Sequence, residues 1–321
     1  MVIKRKIYIF FLIFFLLVAG GLSGCQSSYP EISLEPAEDT EATTAPTPQY
    51  QPSPPEYGDE ETFLRLSIAP VTSPPQTREN YRKLLSYLPE QLDFPVELVL
   101  RTTHAEINQL LKTEHCDAAL IGSWSYVEME ESGIIERLVV PEIKGERSRH
   151  SYIIVPADSE IENLEDLQNR DFVFTDPMCF SGKQYAVYLL QEMGKTPESF
   201  FSDYIYSYSH YNSIIAVAEN WVTAAAVDSN VYQQLLEEDP ALEDKVKIID
   251  KSPPIGNPPV VINSQLPPEL QEKIKETFLA MHEDEEGQKA LKEMNIDRFV
   301  RGNSKDYDTL REIKAKLEGE S

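Results

Sequence analysis

Asp171-Phe172-Val173-Phe174-Thr175-Asp176-Pro177-Met178-Cys179-Phe180-Ser181-Gly182-Lys183 reads as a buried strand, a tight polar loop and the start of a helix. Phe172, Val173 and Phe174 form a short β-prone apolar run. Asp176-Pro177 signals a turn. Ser181 is expected to cap the helix, and Gly182 lets the backbone approach something closely. An apolar-periodic helix follows from about Gln184 to Met193. A strand that ends in small residues at a helix N-terminus presents free N–H groups and the positive end of the helix dipole, which suits an anion. An ordinary βα connection has the same pattern, and the loop alone does not separate the two.

On either side of this stretch strand and helix alternate. Strands are predicted at Phe63–Ala69, Pro95–Arg101, Asp117–Gly122, Ser151–Val155, Asp203–Ser207, Thr223–Val227, Val246–Ile249 and Val260–Ile262. Helices are predicted from about Thr77 to Leu92, Ala105 to Lys112, after Ser123, over Glu162–Leu167, His210–Glu219 and Asn230–Leu236. Three more close the chain, over Pro268–Met281, Glu286–Met294 and Lys305–Leu317. This βαβα order implies an α/β fold with mostly parallel sheets covered on both faces.

The amino terminus sets the location. Lys4, Arg5 and Lys6 precede an apolar run from Ile7 to Ala19, too short to be a spanning helix. Leu22-Ser23-Gly24-Cys25 resembles the bacterial lipobox, in which the cysteine becomes the lipid-modified first residue. Residues 1–24 are thus expected to be a lipoprotein signal peptide, with Cys25 as the lipidation site. The alternative is a plain signal peptide with an incidental cysteine. The lipobox reading implies an exported protein, held by acyl chains at the outer face of the cytoplasmic membrane. Residues 25–61 are rich in Pro, Glu and Thr and read as a disordered tether. At about 3 Å per residue such a tether reaches roughly 100 Å.

About 260 residues remain, enough for two lobes. Removing Lys4, Arg5 and Lys6 takes the formal charge from −25 to −28. This argues against nucleic acid and against electrostatic adhesion to anionic lipid. A captured anion must be held by local groups, because the global field repels it. Cys116 lies at the start of one predicted strand and Cys179 beyond the end of another, which are opposite edges of a parallel sheet, so two free thiols are expected.

Several stretches together resemble one family. They are Pro70-Val71-Thr72-Ser73-Pro74 followed by Tyr81 and Leu85, and Asp117-Ala118-Ala119-Leu120-Ile121-Gly122 with Tyr126. Asp176-Pro177 through Ser181-Gly182, Ser209-His210-Tyr211-Asn212-Ser213-Ile214 and Ala225-Ala226-Val227-Asp228-Ser229 continue the series. Ser252-Pro253-Pro254-Ile255-Gly256-Asn257-Pro258-Pro259 completes it. In order and spacing, from about Leu66 to Tyr307, these resemble the phosphate/phosphite/phosphonate-binding proteins, the solute receptors of ABC importers. The resemblance implies a two-lobe periplasmic-binding-protein fold of type 2, with two chain crossings at the hinge. Lobe one would be residues 62–148 plus 254–321, and lobe two residues 149–253. It implies binding of a phosphonate-like oxyanion without catalysis, metal or cofactor. The partner would be an ABC permease, and the protein would act as a monomer.

The resemblance also proposes a site. Cys179, Phe180 and Ser181 fall on the family's small-hydroxyl cluster, although only Ser181 keeps a strong donor. His210 matches a histidine that donates to an oxyanion, or is a turn histidine. Tyr211 stands where an acidic residue is common. Asp228 matches an acidic acceptor, or caps the next helix. Asn257 falls near an acidic position that serves amino-phosphonates. Thr72, Ser73 and Ser123 lie at strand ends where such sheets bind ligands; Ser123 is equally a cap. Trp124, Tyr126, Phe180 and Tyr211 are core or hinge packing, a wall for an organic substituent, or a cage for a cation. Two other functions remain open, a sensor docking on a kinase ectodomain and a receptor for an organic cation. Ser181-Gly182-Lys183 is no P-loop, since Pro177 occupies the position that requires glycine. His104, His115 and His150 have no metal-ligand spacing.

Overall fold

The computed structural model describes residues 63–69 and 74–319. The signal peptide, Cys25, the tether, Thr72 and Ser73 lie outside the described residues. Thirteen strands are found among them: β1 (Leu64–Ile68), β2 (Val96–Val99), β3 (Ala118–Leu120), β4 (Ile135–Glu142), β5 (Ser148–Arg149), β6 (Ser151–Pro156), β7 (Asp171–Phe174), β8 (Asp203–Tyr206), β9 (Ala224–Asp228), β10 (Val246–Lys251), β11 (Ile255–Gly256), β12 (Val260–Asn263) and β13 (Arg298–Val300). They form two separate sheets, in the orders β13-β4-β12-β3-β1-β2 and β10-β6-β9-β7-β8. Each sheet is the floor of one lobe. β5 and β11, the two chain crossings, pair antiparallel into a small ribbon between them, with Ile255 opposite Arg149.

The sheets are more mixed than the alternation of elements predicts. Three strands in each run parallel, β2-β1-β3 and β8-β7-β9. β12 and β6 run antiparallel to β3 and β9, because each follows a chain crossing and enters its sheet from the other lobe; β4 and β10 pair antiparallel with those two strands in turn, and β13 with β4. β4 and β13 were not anticipated. β4 does not alternate, since Leu138-Val139-Val140 is continuously apolar and buried, and Pro141 sits inside it opposite Phe299.

The helix expected after Pro74-Pro75 instead begins at Pro74 and breaks at Tyr81, giving Pro74–Asn80 and Arg82–Leu92. Proline suits a helical first turn, where its missing N–H has no partner to lose. The first turn after β7 also departs from expectation. Cys179, not Ser181, holds the capping position, and Phe180–Gln184 is one wide turn, closed by Gln184 N–H to the Cys179 carbonyl at 3.1 Å. The regular helix Tyr185–Glu192 continues it. The turn is wide because it lies directly on β7's extension: Thr175 N–H donates to the Gly182 carbonyl at 2.9 Å.

One apolar cluster runs through both lobes. It joins Ile107, Ile121 and Trp124 to Phe172, Phe180 and Tyr185. Trp124 and Phe180 stack across the lobes, with ring centroids 5.9 Å apart. The last helix, Asp308–Gly319, also touches both sides: Arg311 pairs with Glu130, while Lys316 reaches Tyr188 Oη at 3.0 Å. Such contacts describe a closed clamp. Cys116 and Cys179 are buried, unpaired thiols, as expected from their positions.

Candidate functional site

The strands deliver their carboxyl ends to a shared cavity of about 520 Å3 between the lobes. From the first lobe come Ile68 and Leu120, where β1 and β3 end, and Ser123. From the second come Cys179 and Phe180, His210 and Asp228. Arg149 comes from the ribbon. Ligands bind at this edge of open α/β sheets because loops and helix N-termini converge there.

Arg149 is the strongest feature and was not anticipated. It is 5% exposed. Its Nε lies 2.5 Å from Asp228 Oδ2, but poorly aligned, so that neither Nε nor Nη1 has a hydrogen-bond acceptor. Asp228 by contrast has partners on both oxygens. Its Oδ2 also accepts from Ser181 Oγ at 3.2 Å, and its Oδ1 accepts from Asn230 N–H at 2.8 Å, capping the helix Ser229–Glu238. A buried guanidinium with unanswered N–H groups carries a large desolvation penalty, which an anion would relieve. The signal in the sequence was positional: Arg149 sits in a chain crossing, and crossings run beside the cleft.

His210 begins its helix behind Ser209, whose side chain accepts from Asn212 N–H. Its Nδ1 accepts the Asp228 backbone N–H at 3.1 Å and lies 3.2 Å from Thr175 Oγ1. That fixes the tautomer with the proton on Nε2, which lies 3.5 Å from Cys179 Sγ. Burial pushes His210 down to about 4, Asp228 opposes the shift, and Arg149 and His104 reinforce it. His210 is a neutral donor at pH 7. Burial pushes the Cys179 thiol up to about 11, so it stays protonated. The Cys179–His210 pair is therefore not a nucleophile and base, since the nitrogen facing sulfur already carries its proton.

His104 also lines the cavity. Its backbone N–H donates across the lobes to Asp176 Oδ2 at 3.3 Å, while Asp176 Oδ1 accepts Met178 N–H in the turn. Burial lowers the His104 ring, with Asp176 opposing and Arg149 reinforcing. Neither residue was singled out from the sequence as a site residue.

The cavity brings together Ser123, Cys179, Phe180, His210 and Asp228 of the expected set. Ser123 is not the helix cap; it lies one residue inside, and its Oγ donates to the Gly256 carbonyl at 2.7 Å. Ser181 lies behind the wall, donating to Asp228, with its carbonyl accepting from Ser151 Oγ. Three residues stand elsewhere. Tyr126 packs on Tyr307, with centroids 4.7 Å apart, and under Arg137. Tyr211 is 45% exposed on the outer face of its helix, because the site-facing position of that turn belongs to His210. Asn257 is fully buried beside the ribbon, donating to the Pro141 and Glu146 carbonyls and accepting from Asn230. No group of acidic, His or Cys residues among the described ones has metal-binding geometry.

A family model described as ABC transporter, phosphonate, periplasmic substrate-binding protein matches residues 66–307. The chain belongs to this family. As a phosphonate-family binding protein it is 24% identical over 226 residues to the phosphate-import protein PhnD of Mycolicibacterium smegmatis, covering 67% of this chain and 70% of that one. It is 25% identical over 234 residues to the phosphonates-binding periplasmic protein of Escherichia coli, covering 71% and 68%. The binding protein also shares its fold with solved structures. A binding component of an ABC phosphonate transporter from Pseudomonas aeruginosa matches with TM-score 0.74 and 22% identity, over 81% of this chain and 87% of that one. PhnD1 of Prochlorococcus marinus, solved with methylphosphonate, matches with TM-score 0.71 and 19% identity, over 81% and 99%. Such relatives are substrate-binding transport proteins rather than enzymes.

Proposed function

We propose that this binding protein captures a phosphonate-type oxyanion between its lobes for an ABC permease, and that it is exported and lipid-anchored through Cys25. One observation carries the ligand assignment: the buried Arg149 guanidinium, with Nε and Nη1 unanswered, faces the cavity. Phosphoryl oxygens accept such donors in pairs. His210 Nε2–H adds a neutral donor on the same wall, and the Cys179 thiol a weaker one. Asp228 holds Arg149 in place through Oδ2, while its Oδ1 caps the helix Ser229–Glu238. An organic cation would meet the arginine's charge, and of the suggested aromatic cage only Phe180 reaches the cavity.

The test is calorimetric titration of the protein and of Arg149→Met with methylphosphonate and phosphate, after circular dichroism has shown that both are folded. Loss of a charged hydrogen-bonding partner, about 1.5–3 kcal/mol per bond, should weaken binding about 10- to 100-fold. Unchanged affinity in the variant would remove Arg149 from the site. For the anchor, Cys25→Ser should move the protein from the membrane fraction to the soluble one.

A further inference from the structure

We infer that the cleft is built for an oxyanion carrying an extended apolar substituent, with its head at Arg149 and its tail along the first lobe. This rests on the proposed oxyanion site and specifies what is attached to it.

The first argument is volume. The cavity of about 520 Å3 would hold about 17 waters at roughly 30 Å3 each. A phosphorus with three oxygens takes about 100 Å3 on that scale. Some four-fifths of the space is left once a head group is seated. A bare oxyanion or a methylphosphonate would leave that space to water.

The second argument is how the walls divide. Three groups able to hold an oxyanion, Arg149, Cys179 and His210, belong to the ribbon or the second lobe, with the His104 ring beside them from the first. The first lobe lines the cavity with the aliphatic side chains of Ile68, Leu120, Ile143, Leu291 and Ile296, interrupted by the polar Tyr81, Gln288 and Asn295. Water against such a wall has few partners, so a dry organic group is the better occupant. Apart from Arg149 and Asp228, the charged residues at the cavity are exposed ones, among them Lys144 and Glu237, which pair at 2.5 Å from opposite lobes. They close over the ligand without entering the apolar part.

The third argument concerns charge. No cation other than Arg149 is both buried and at the cavity among the described residues. The site thus answers one anionic head in its buried part, and the other cations that line it, Lys144 and Lys292, are exposed to water. The ligand class is an alkyl or aryl phosphonate, or an equivalent monoester, with up to about a dozen heavy atoms in the substituent.

The experiment is calorimetric titration with a homologous series: methyl-, butyl- and hexylphosphonate, with inorganic phosphate and hexyltrimethylammonium beside them. Each methylene buried should tighten binding about fourfold, so hexyl should exceed methyl by about a thousandfold. Ile143→Asn, which places an amide on the aliphatic wall, should flatten that dependence. If methylphosphonate binds as well as hexylphosphonate, the apolar subsite is refuted while the oxyanion site stands. If no phosphonate binds, or if the ammonium compound binds as well as hexylphosphonate, the oxyanion site itself is refuted, and the subsite with it.

Discussion

Replacing Gly182 by alanine should damage both stability and ligand capture, for a reason visible at atomic scale. A Cβ on residue 182 would stand 2.4 Å from both Cβ and Oγ1 of Thr175, and 3.2 Å from Cε1 of His210. Carbon atoms attract best at about 3.5–4 Å, so the overlap exceeds 1 Å. Thr175 cannot rotate out of the way, since its Cβ is itself in the clash. Nor can it retreat: its N–H is bonded to the Gly182 carbonyl, and its hydroxyl lies between Ala226 O and His210. The wide turn must lift off the strand instead. Overpacking costs typically about 1–3 kcal/mol, and a clash with a fixed atom belongs at the upper end. For a body of this size about 3 kcal/mol lowers the melting point by roughly 6–12 °C. Lifting the turn also displaces Cys179 and Phe180 from His210, so phosphonate affinity should fall at least about tenfold. Scanning calorimetry and titration of Gly182→Ala measure both. The double variant Gly182→Ala with Thr175→Gly removes both clashing atoms. It should recover more than half of the lost stability, despite about 1 kcal/mol for the new glycine. A single variant that melts within about 2 °C of the parent and binds equally well would refute the reasoning. So would a double variant no more stable than the single one.

Stability should fall on the acid side through His210. Its folded value of about 4 lies below the ordinary 6.5, so folding favours the neutral ring. The contribution is complete above pH 6.5 and is lost as pH falls from 6.5 to about 4, at most roughly 3 kcal/mol. His104 shifts in the same direction and adds to the slope. His210→Asn, which keeps an acceptor for the Asp228 N–H, should show a shallower dependence in urea melts between these limits; an identical slope would exclude His210 as the source. At the ribbon, Asn257→Leu leaves the Pro141 and Glu146 carbonyls and the Asn230 amide without their partner. At about 1–3 kcal/mol for each unsatisfied buried group, a loss of about 3 kcal/mol is expected by denaturant titration. A loss under about 1 kcal/mol would mean that water replaces the side chain.

The sequence carried the architecture well, because strand–helix alternation and turn chemistry are local properties. Phe172–Phe174 and Asp176-Pro177 specify their strand and turn almost alone. β4 escaped because a central strand buried on both faces has no alternation to read. The site was legible only in part. His210 and Asp228 stand at helix starts that the sequence marks, and they reach the cavity. Tyr211 follows His210 directly but points away, since one residue's shift along a helix turns its side chain by about 100°, and Tyr126 is drawn instead onto Tyr307. Arg149 was hidden for another reason. Its importance lies in being buried beside Asp228, 79 residues further on, and no local pattern reports such a pairing.

Arg149 lies in the ribbon on which the lobes turn, with Ile255 of the second crossing opposite it. The charge proposed to receive the anion is thus mounted beside the chain crossings themselves. A pull on the guanidinium would reach two short strands that pair with each other and are held by Ser123, through the Gly256 carbonyl, and by Tyr307. On that proposal, occupancy and lobe rotation would act through the same few contacts. Swapping the tail of the ligand changes what fills the cleft, whereas swapping its head changes the torque at the axle.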